Sequence, residues 1–445
     1  MTAVRATSGT TRSGSKSHYL TDERIKALRV PWRLNDRLFY GWVVVAVFLV
    51  IGITLYGIHF SFGVFFKSIE AEFSLSRAAT STILSANMLL AGLCSFFAGW
   101  AMDRYEPKRV VLLMGIFAGL SLVLTSLTNA LWQLFITYSL LLAMGTGPLY
   151  VVPMSAVSRW FDRKRGLALG LSSVGIGLGM MVMAPFATYL ITNYNWHIAY
   201  LVIGLLAWLI VVPLSRLLKR DPSEIGALPD GVKTGDIEQP VKIETSPLAQ
   251  HPVLSIVQNR NFWIFASIWF LFAGCIFLIF THLVPHITDI GFSPLEAATV
   301  LSIIGIASLP GRLLMGIASD RIGRKLTPII STLVQAAAIA WLVWAQSLGD
   351  LYLFAVLYGF SYSGFGTSGA ALISDTFGVR NIGTVFGLLE VGFGIGAALG
   401  AAMGGYVFDV SGSYKIAFML SALAMLVATL LFAVVRRRGA ASHHQ

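Results

Sequence analysis

Charge is scarce in this chain and cysteine is nearly absent. Asp, Glu, Lys and Arg make up 12% of the 445 residues against 56% apolar ones, a balance far outside the soluble globular range. The two cysteines, Cys94 and Cys275, lie in apolar stretches and indicate neither a disulfide framework nor a thiolate metal site. The first 39 residues carry eight Lys or Arg but lack the apolar core and small-residue cleavage site of a signal peptide, so they read as a cytoplasmic tail. There is no Ser-His-Asp set and no metal-hydrolase constellation. Gly392-x-Gly394-x-Gly396 has no strand before it and sits in an apolar run, which argues against a dinucleotide site. The chain is therefore not expected to be an enzyme or to hold a cofactor or metal.

What is abundant is long apolar sequence. Twelve runs, each sufficient for a membrane-crossing helix of roughly 20 residues, fall at 40–66, 78–102, 109–129, 131–158, 164–193, 197–219, 259–286, 294–319, 325–347, 350–376, 381–407 and 413–435. They are continuous and do not alternate with period two, which favours helices over a barrel. The formal net charge of +11 could suggest nucleic acid, and the placement of the 32 Lys and Arg decides against it. All but Lys67, Arg77, Arg312 and Lys415 fall in the tails or the even-numbered loops, the asymmetry that puts both termini in the cytoplasm.

The chain also repeats itself. Gly99-x3-Asp103-Arg104 recurs 217 positions later as Gly316-x3-Asp320-Arg321, and Gly147, Gly166, Gly170, Gly175, Gly177 and Gly179 find Gly364, Gly383, Gly387, Gly392, Gly394 and Gly396 at the same offset. A repeat of that length describes a duplicated architecture. The expected organisation is an all-α membrane protein of twelve transmembrane helices in two pseudo-symmetric six-helix bundles. It comprises a tail (1–39), a first bundle (40–219), a proline-bearing cytoplasmic linker (220–258), a second bundle (259–436) and a second tail (437–445). The glycines in helices 5 and 11 are expected as seams where backbones approach closely.

Twelve helices, a central linker and Gly-x3-Asp-Arg in the 2–3 and 8–9 loops resemble the major facilitator superfamily. The second copy, Gly316-Ile-Ala-Ser-Asp320-Arg321-Ile-Gly323-Arg324-Lys325, is close to the family pattern, whereas the first has Glu106-Pro107 where Gly and Arg would stand. The resemblance implies a cytoplasmic latch at Gly99, Asp103, Arg104, Gly316, Asp320, Arg321 and Arg324. A narrower resemblance, to the monocarboxylate transporters and oxalate-formate exchangers, rests on Tyr40-Gly41-Trp42, Gly63-Val-Phe-Phe-Lys67, the Trp160-to-Gly170 segment and Arg312 four residues before Gly316.

Arg312 is the central clue. Counted back from Asp320 at 1.5 Å per residue, it lies about 12 Å inside its helix, where an arginine costs at least about 2.5–3.5 kcal/mol on insertion scales. A guanidinium grips a carboxylate through two parallel hydrogen bonds, and the resemblance implies that role for Arg312. The competing reading is a permanent ion pair with Glu390. Glu390 is near the midplane of helix 11, where an acid is a candidate for proton coupling. His59 and His282, near the outer ends of helices 1 and 7, are further candidates for handling protons, and His282 for touching substrate. Tyr56, Tyr150, Tyr358 and Tyr362, with Asn87, fall on helices that line the cavity in the resembling fold. Ser308 stands where well-studied monocarboxylate transporters have an aspartate, Phe60 where they have a lysine, and helix 11 lacks the second cation of the oxalate carriers.

These residues predict a proton-coupled symporter of small monocarboxylates in the plasma membrane, acting as a monomer, with protons, the organic anion and membrane lipid as its partners and no nucleic acid. The alternatives are a carboxylate exchanger, a proton-driven drug exporter using Glu390, and a nutrient sensor that does not transport.

Overall fold

A computed structural model of the chain describes residues 39–161, 164–231, 256–377 and 382–435. Of the expected tails all but residue 39, and of the expected linker residues 232–255, lie outside the described residues. Twelve helical rods follow one another among the described residues: α1 (Tyr40–Glu72), α2 (Arg77–Arg104), α3 (Pro107–Thr125), α4 (Leu131–Trp160), α5 (Arg165–Asn193), α6 (Trp196–Ser215), α7 (Arg260–Asp289), α8 (Pro294–Arg321), α9 (Leu326–Leu342), α10 (Leu348–Phe377), α11 (Ile382–Ser411) and α12 (Lys415–Val434). Ten of the described helices are long and apolar enough to cross a membrane, and α9 is a shorter apolar one. The protein is a helical membrane protein.

The helix ends follow from local chemistry. Ser293 and Glu296 form a reciprocal capping box at the start of α8, satisfying amide groups that a helix leaves unpaired at its N-terminus. Ser76 opens α2 by accepting from the Ala79 amide, and Pro107 occupies the first turn of α3. Two ends differ from the sequence expectation. α1 breaks at Ser61 and then continues to Glu72, because Phe62, Phe65, Phe66 and Ile69 repeat at helical spacing and are all buried. α9 stops at Leu342, where the amides of Val343, Trp344 and Ala345 turn back to carbonyls three residues earlier.

Packing repeats between the halves. α1 packs on α5 as α7 packs on α11, α2 on α4 as α8 on α10, and α3 on α6 as α9 on α12. Across the halves α2 packs on α11, and at the corresponding position α8 packs on α5. Glycine makes these contacts close. A Cβ on Gly175 would fall 2.7 Å from the Leu49 carbonyl of α1, and one on Gly177 would fall 2.6 Å from the Gly305 carbonyl and 2.5 Å from Ser308 Oγ of α8. Consecutive odd positions of α5 thus meet α1 and α8, which joins a contact within the first half to a contact between halves. Lipid gives no hydrophobic drive for helix association, so this backbone proximity has to supply it through dispersion.

Replacing Gly177 by Ala should lower the melting temperature of the detergent-solubilised protein, since overpacking against a backbone carbonyl costs about 1–3 kcal/mol. Gly387→Ala is the matched control, because a Cβ there meets nothing within 4 Å. Equal melting temperatures for the two variants would refute the close-packed seam.

Candidate functional site

Between the halves lies a cavity of about 390 Å³, bordered by α1, α2, α4 and α5 on one side and α7, α8, α10 and α11 on the other. Arg312 of α8 and Glu390 of α11 both line it. No ion pair joins them among the described residues, and Arg312 Nε has no hydrogen-bond partner. A buried donor without a partner is rare in folded proteins, and this guanidinium, with Tyr362 as its neighbour, faces a cavity from which it can take a ligand carboxylate in the plane of its fork. The Trp269 indole stands beside Glu390. The positions equivalent to Arg312 and Glu390 in the first half, Ser95 and Ser173, line the same cavity. The two sides thus oppose charges with hydroxyls at matching places.

The structure brings together most of the residues singled out from sequence and separates three of them. Tyr56, Tyr150, His59 and Tyr362 line the cavity with Arg312 and Glu390. Tyr56 donates to the Leu149 carbonyl at 3.2 Å, and His59 meets Phe277 edge-on at 5.5 Å. Asn87 is turned elsewhere: its amide donates to the Tyr138 and Ser139 carbonyls at 3.1 and 3.2 Å. Those carbonyls belong to a π-helical stretch of α4, Phe135–Leu141, where the regular ladder is disturbed. His282 is fully buried away from the cavity, its ring nitrogens 2.8 Å from the Ala401 carbonyl and 3.2 Å from Tyr414 Oη. Tyr358 is buried with its ring stacked on Phe354. Neither His282 nor Tyr358 lines the space that holds Arg312.

Sequence reasoning missed the cluster at the far end of the rods. Arg77 of α2 makes a two-pronged ion pair with Asp289 of α7, at 2.5 and 3.0 Å, and donates to Tyr414 Oη at 2.7 Å. Glu70 receives its Nε at 3.3 Å, Lys67 reaches Asp289 at 2.6 Å, and the guanidinium lies 3.8 Å above the Phe408 ring. Asp409 of α11 accepts from the backbone amides of Arg77 and Ala78 at 3.0 and 2.8 Å. Every one of these contacts except the Glu70 pair joins the first half to the second. Phe60 packs below them on Phe280 and Phe277, with ring centres 4.9 and 6.0 Å apart. These contacts join the two halves beyond the cavity at this end. The signal in the sequence was the exceptional placement of Lys67 and Arg77 against the charge asymmetry.

At the opposite end the two copies of the repeat differ in backbone. Gly323 adopts φ +122°, a conformation that side-chain-bearing residues avoid, whereas its counterpart Glu106 has φ −70° and precedes Pro107. Glu106 pairs instead with Lys108 at 2.7 Å. Arg104 lies 4.4 Å over the Trp100 ring, Arg321 is exposed, and Gly99 and Gly316 lie within α2 and α8. Arg324 follows the turn at Gly323. The side chains of Asp103 and Asp320 lie outside the described residues.

The profile of the Major Facilitator Superfamily matches residues 43–349 and 284–445. Among characterised relatives, monocarboxylate transporter 13 of Rattus norvegicus is 28% identical over 390 residues, 87% of each chain. Monocarboxylate transporter 11 of Homo sapiens is 27% identical over 405 residues, 88% of this chain and 82% of that one. A solved bacterial homologue of the human lysosomal transporter Spinster, inward-facing and unoccupied, is similar in fold with a TM-score of 0.66 at 15% identity, covering 90% of this chain and 96% of that one.

If the charged cluster holds its end shut, Asp289→Asn should open it, because Arg77 and Lys67 lose the anion they share across the halves. In a background carrying Cys94→Ala, Cys275→Ala and His59→Cys, labelling by a membrane-impermeant thiol reagent from the Asp289 side should speed up roughly tenfold or more, which is about 1.4 kcal/mol in the opening equilibrium. An unchanged labelling rate would exclude the cluster as the closure.

Proposed function

The chain belongs to the major facilitator superfamily, and from that premise we propose that it carries small monocarboxylates across the plasma membrane together with protons, by alternating access. It is a transporter, not an enzyme, and is related to the monocarboxylate transporters. The observation that carries the finer reading is Arg312, a fixed cation on the cavity wall with no ion-pair partner among the described residues. One fixed cation suits one carboxylate. Charge balance then asks for a proton to accompany the anion, and Glu390 on the same wall is positioned to carry it.

In this reading all twelve rods span the membrane as two six-helix bundles, 40–219 and 259–436, with the basic end and both termini in the cytoplasm. The Arg77 cluster then faces outward, and the loops at Asp103-Arg104 and Asp320-Arg321 act as the cytoplasmic latch. The two bundles rock about the cavity, closing one end as the other opens. Substrate drives this exchange only by binding one state better than the other. Arg312 supplies that difference if a bound carboxylate neutralises it and removes the penalty of holding a bare guanidinium in a closing, dehydrating cavity.

In proteoliposomes with an imposed pH gradient, uptake across a carboxylate panel should depend on Arg312. Arg312→Lys should weaken apparent affinity roughly tenfold or more, since a charge-assisted bond contributes about 1.5–3 kcal/mol. Glu390→Gln should abolish accumulation driven by the pH gradient. Wild-type affinity of Arg312→Lys for every carboxylate would refute the two-pronged grip, and full gradient dependence in Glu390→Gln would remove Glu390 as the sole proton carrier.

A further inference from the structure

The cavity offers far more space, and far more apolar wall, than a bare carboxylate needs. We infer that the cargo is a monocarboxylate with a bulky apolar tail, an aryl or branched-alkyl acid, and that Gly366 sets the room for the tail. The inference rests on the reading of Arg312 as the carboxylate site.

Three observations converge on it. First, about 390 Å³ lies in the range of sites that enclose ligands of many heavy atoms, and a two-carbon acid would leave most of the apolar wall wet. Second, Trp269, Phe272, Phe277, Phe393 and Met88 line the cavity with Arg312, surfaces that gain by excluding water against an apolar partner.

Third, three of the cavity hydroxyls already donate their protons within the protein. Ser95 donates to the Gly147 carbonyl at 2.5 Å, Ser173 to the Gly170 carbonyl at 2.8 Å, and Tyr56 to the Leu149 carbonyl at 3.2 Å. A second carboxylate on the cargo, which needs donors, would have to draw these protons away from the carbonyls. An apolar tail leaves them intact.

Gly366 lies one turn beyond Tyr362 on α10, borders the cavity and is exposed to it. A Cβ at Gly366 would meet no atom within 4 Å, so packing does not require glycine there. A side chain at this position grows into the space that the tail would fill.

The experiment uses the full chain in proteoliposomes, with 4-phenylbutyrate and acetate as probes for uptake and mutual competition. The wild type should prefer 4-phenylbutyrate by about tenfold or more, given what even single methylenes contribute in an apolar pocket. Gly366→Leu should reduce that preference at least about tenfold and Gly366→Ala should reduce it less, with thermal melts reporting that both variants fold. Acetate transported as well as 4-phenylbutyrate, in an Arg312-dependent manner, would overturn the bulky-tail inference and leave the monocarboxylate reading standing. Transport of neither acid would overturn both. A folded Gly366→Leu protein with undiminished preference would remove Gly366 as the determinant.

Discussion

Because hydrocarbon cannot solvate a guanidinium, Arg312 has to border a space that water or a ligand can reach, and much of the fold serves to hold that space between the two halves. The seams of α5 against α1 and α8 bring backbones together at Gly175 and Gly177. A similar proximity at Gly394 of α11, where a Cβ would lie 3.1 Å from the Met88 carbonyl of α2, fixes the other contact between halves. Helices this close cannot slide into the cavity.

The helical architecture was readable from sequence because the signal that carries it, long apolar runs, is strong in lipid. The residues facing the cavity were less readable. In a helix that is apolar all round, periodicity does not say which face is inward. Arg312 and Glu390 stood out as charges in such helices, and Tyr56, Tyr150 and Tyr362 share their cavity. Asn87, His282 and Tyr358 looked equivalent to these in sequence and face other ways. Asn87 serves the π-helical stretch of α4, and a local departure of that kind has no sequence marker. The Arg77 cluster depends on helix ends more than 200 positions apart meeting in space, as at Arg77 and Asp289, and apolar patterning carries no information about such meetings.

The duplication also shows where the halves have parted. Gly323 needs a positive φ and has it, while Glu106 at the equivalent place takes an extended conformation and leads into proline. Ser95 and Ser173 keep the positions of Arg312 and Glu390 around the cavity without their charge. One half therefore contributes the charged groups and the other a neutral wall that completes the enclosure.

The Asp409 carboxylate bonds two backbone amides at the start of α2, a helix of the other half. Those amides sit where the helix dipole is positive and intrahelical acceptors are missing. Separation of the halves at this end would therefore uncap a helix as well as part an ion pair. Salt weakens exposed ion pairs through screening, but it does not provide the acceptor that a stranded amide needs. The contact at this end thus has a component set by backbone hydrogen bonding beside its ion pairs.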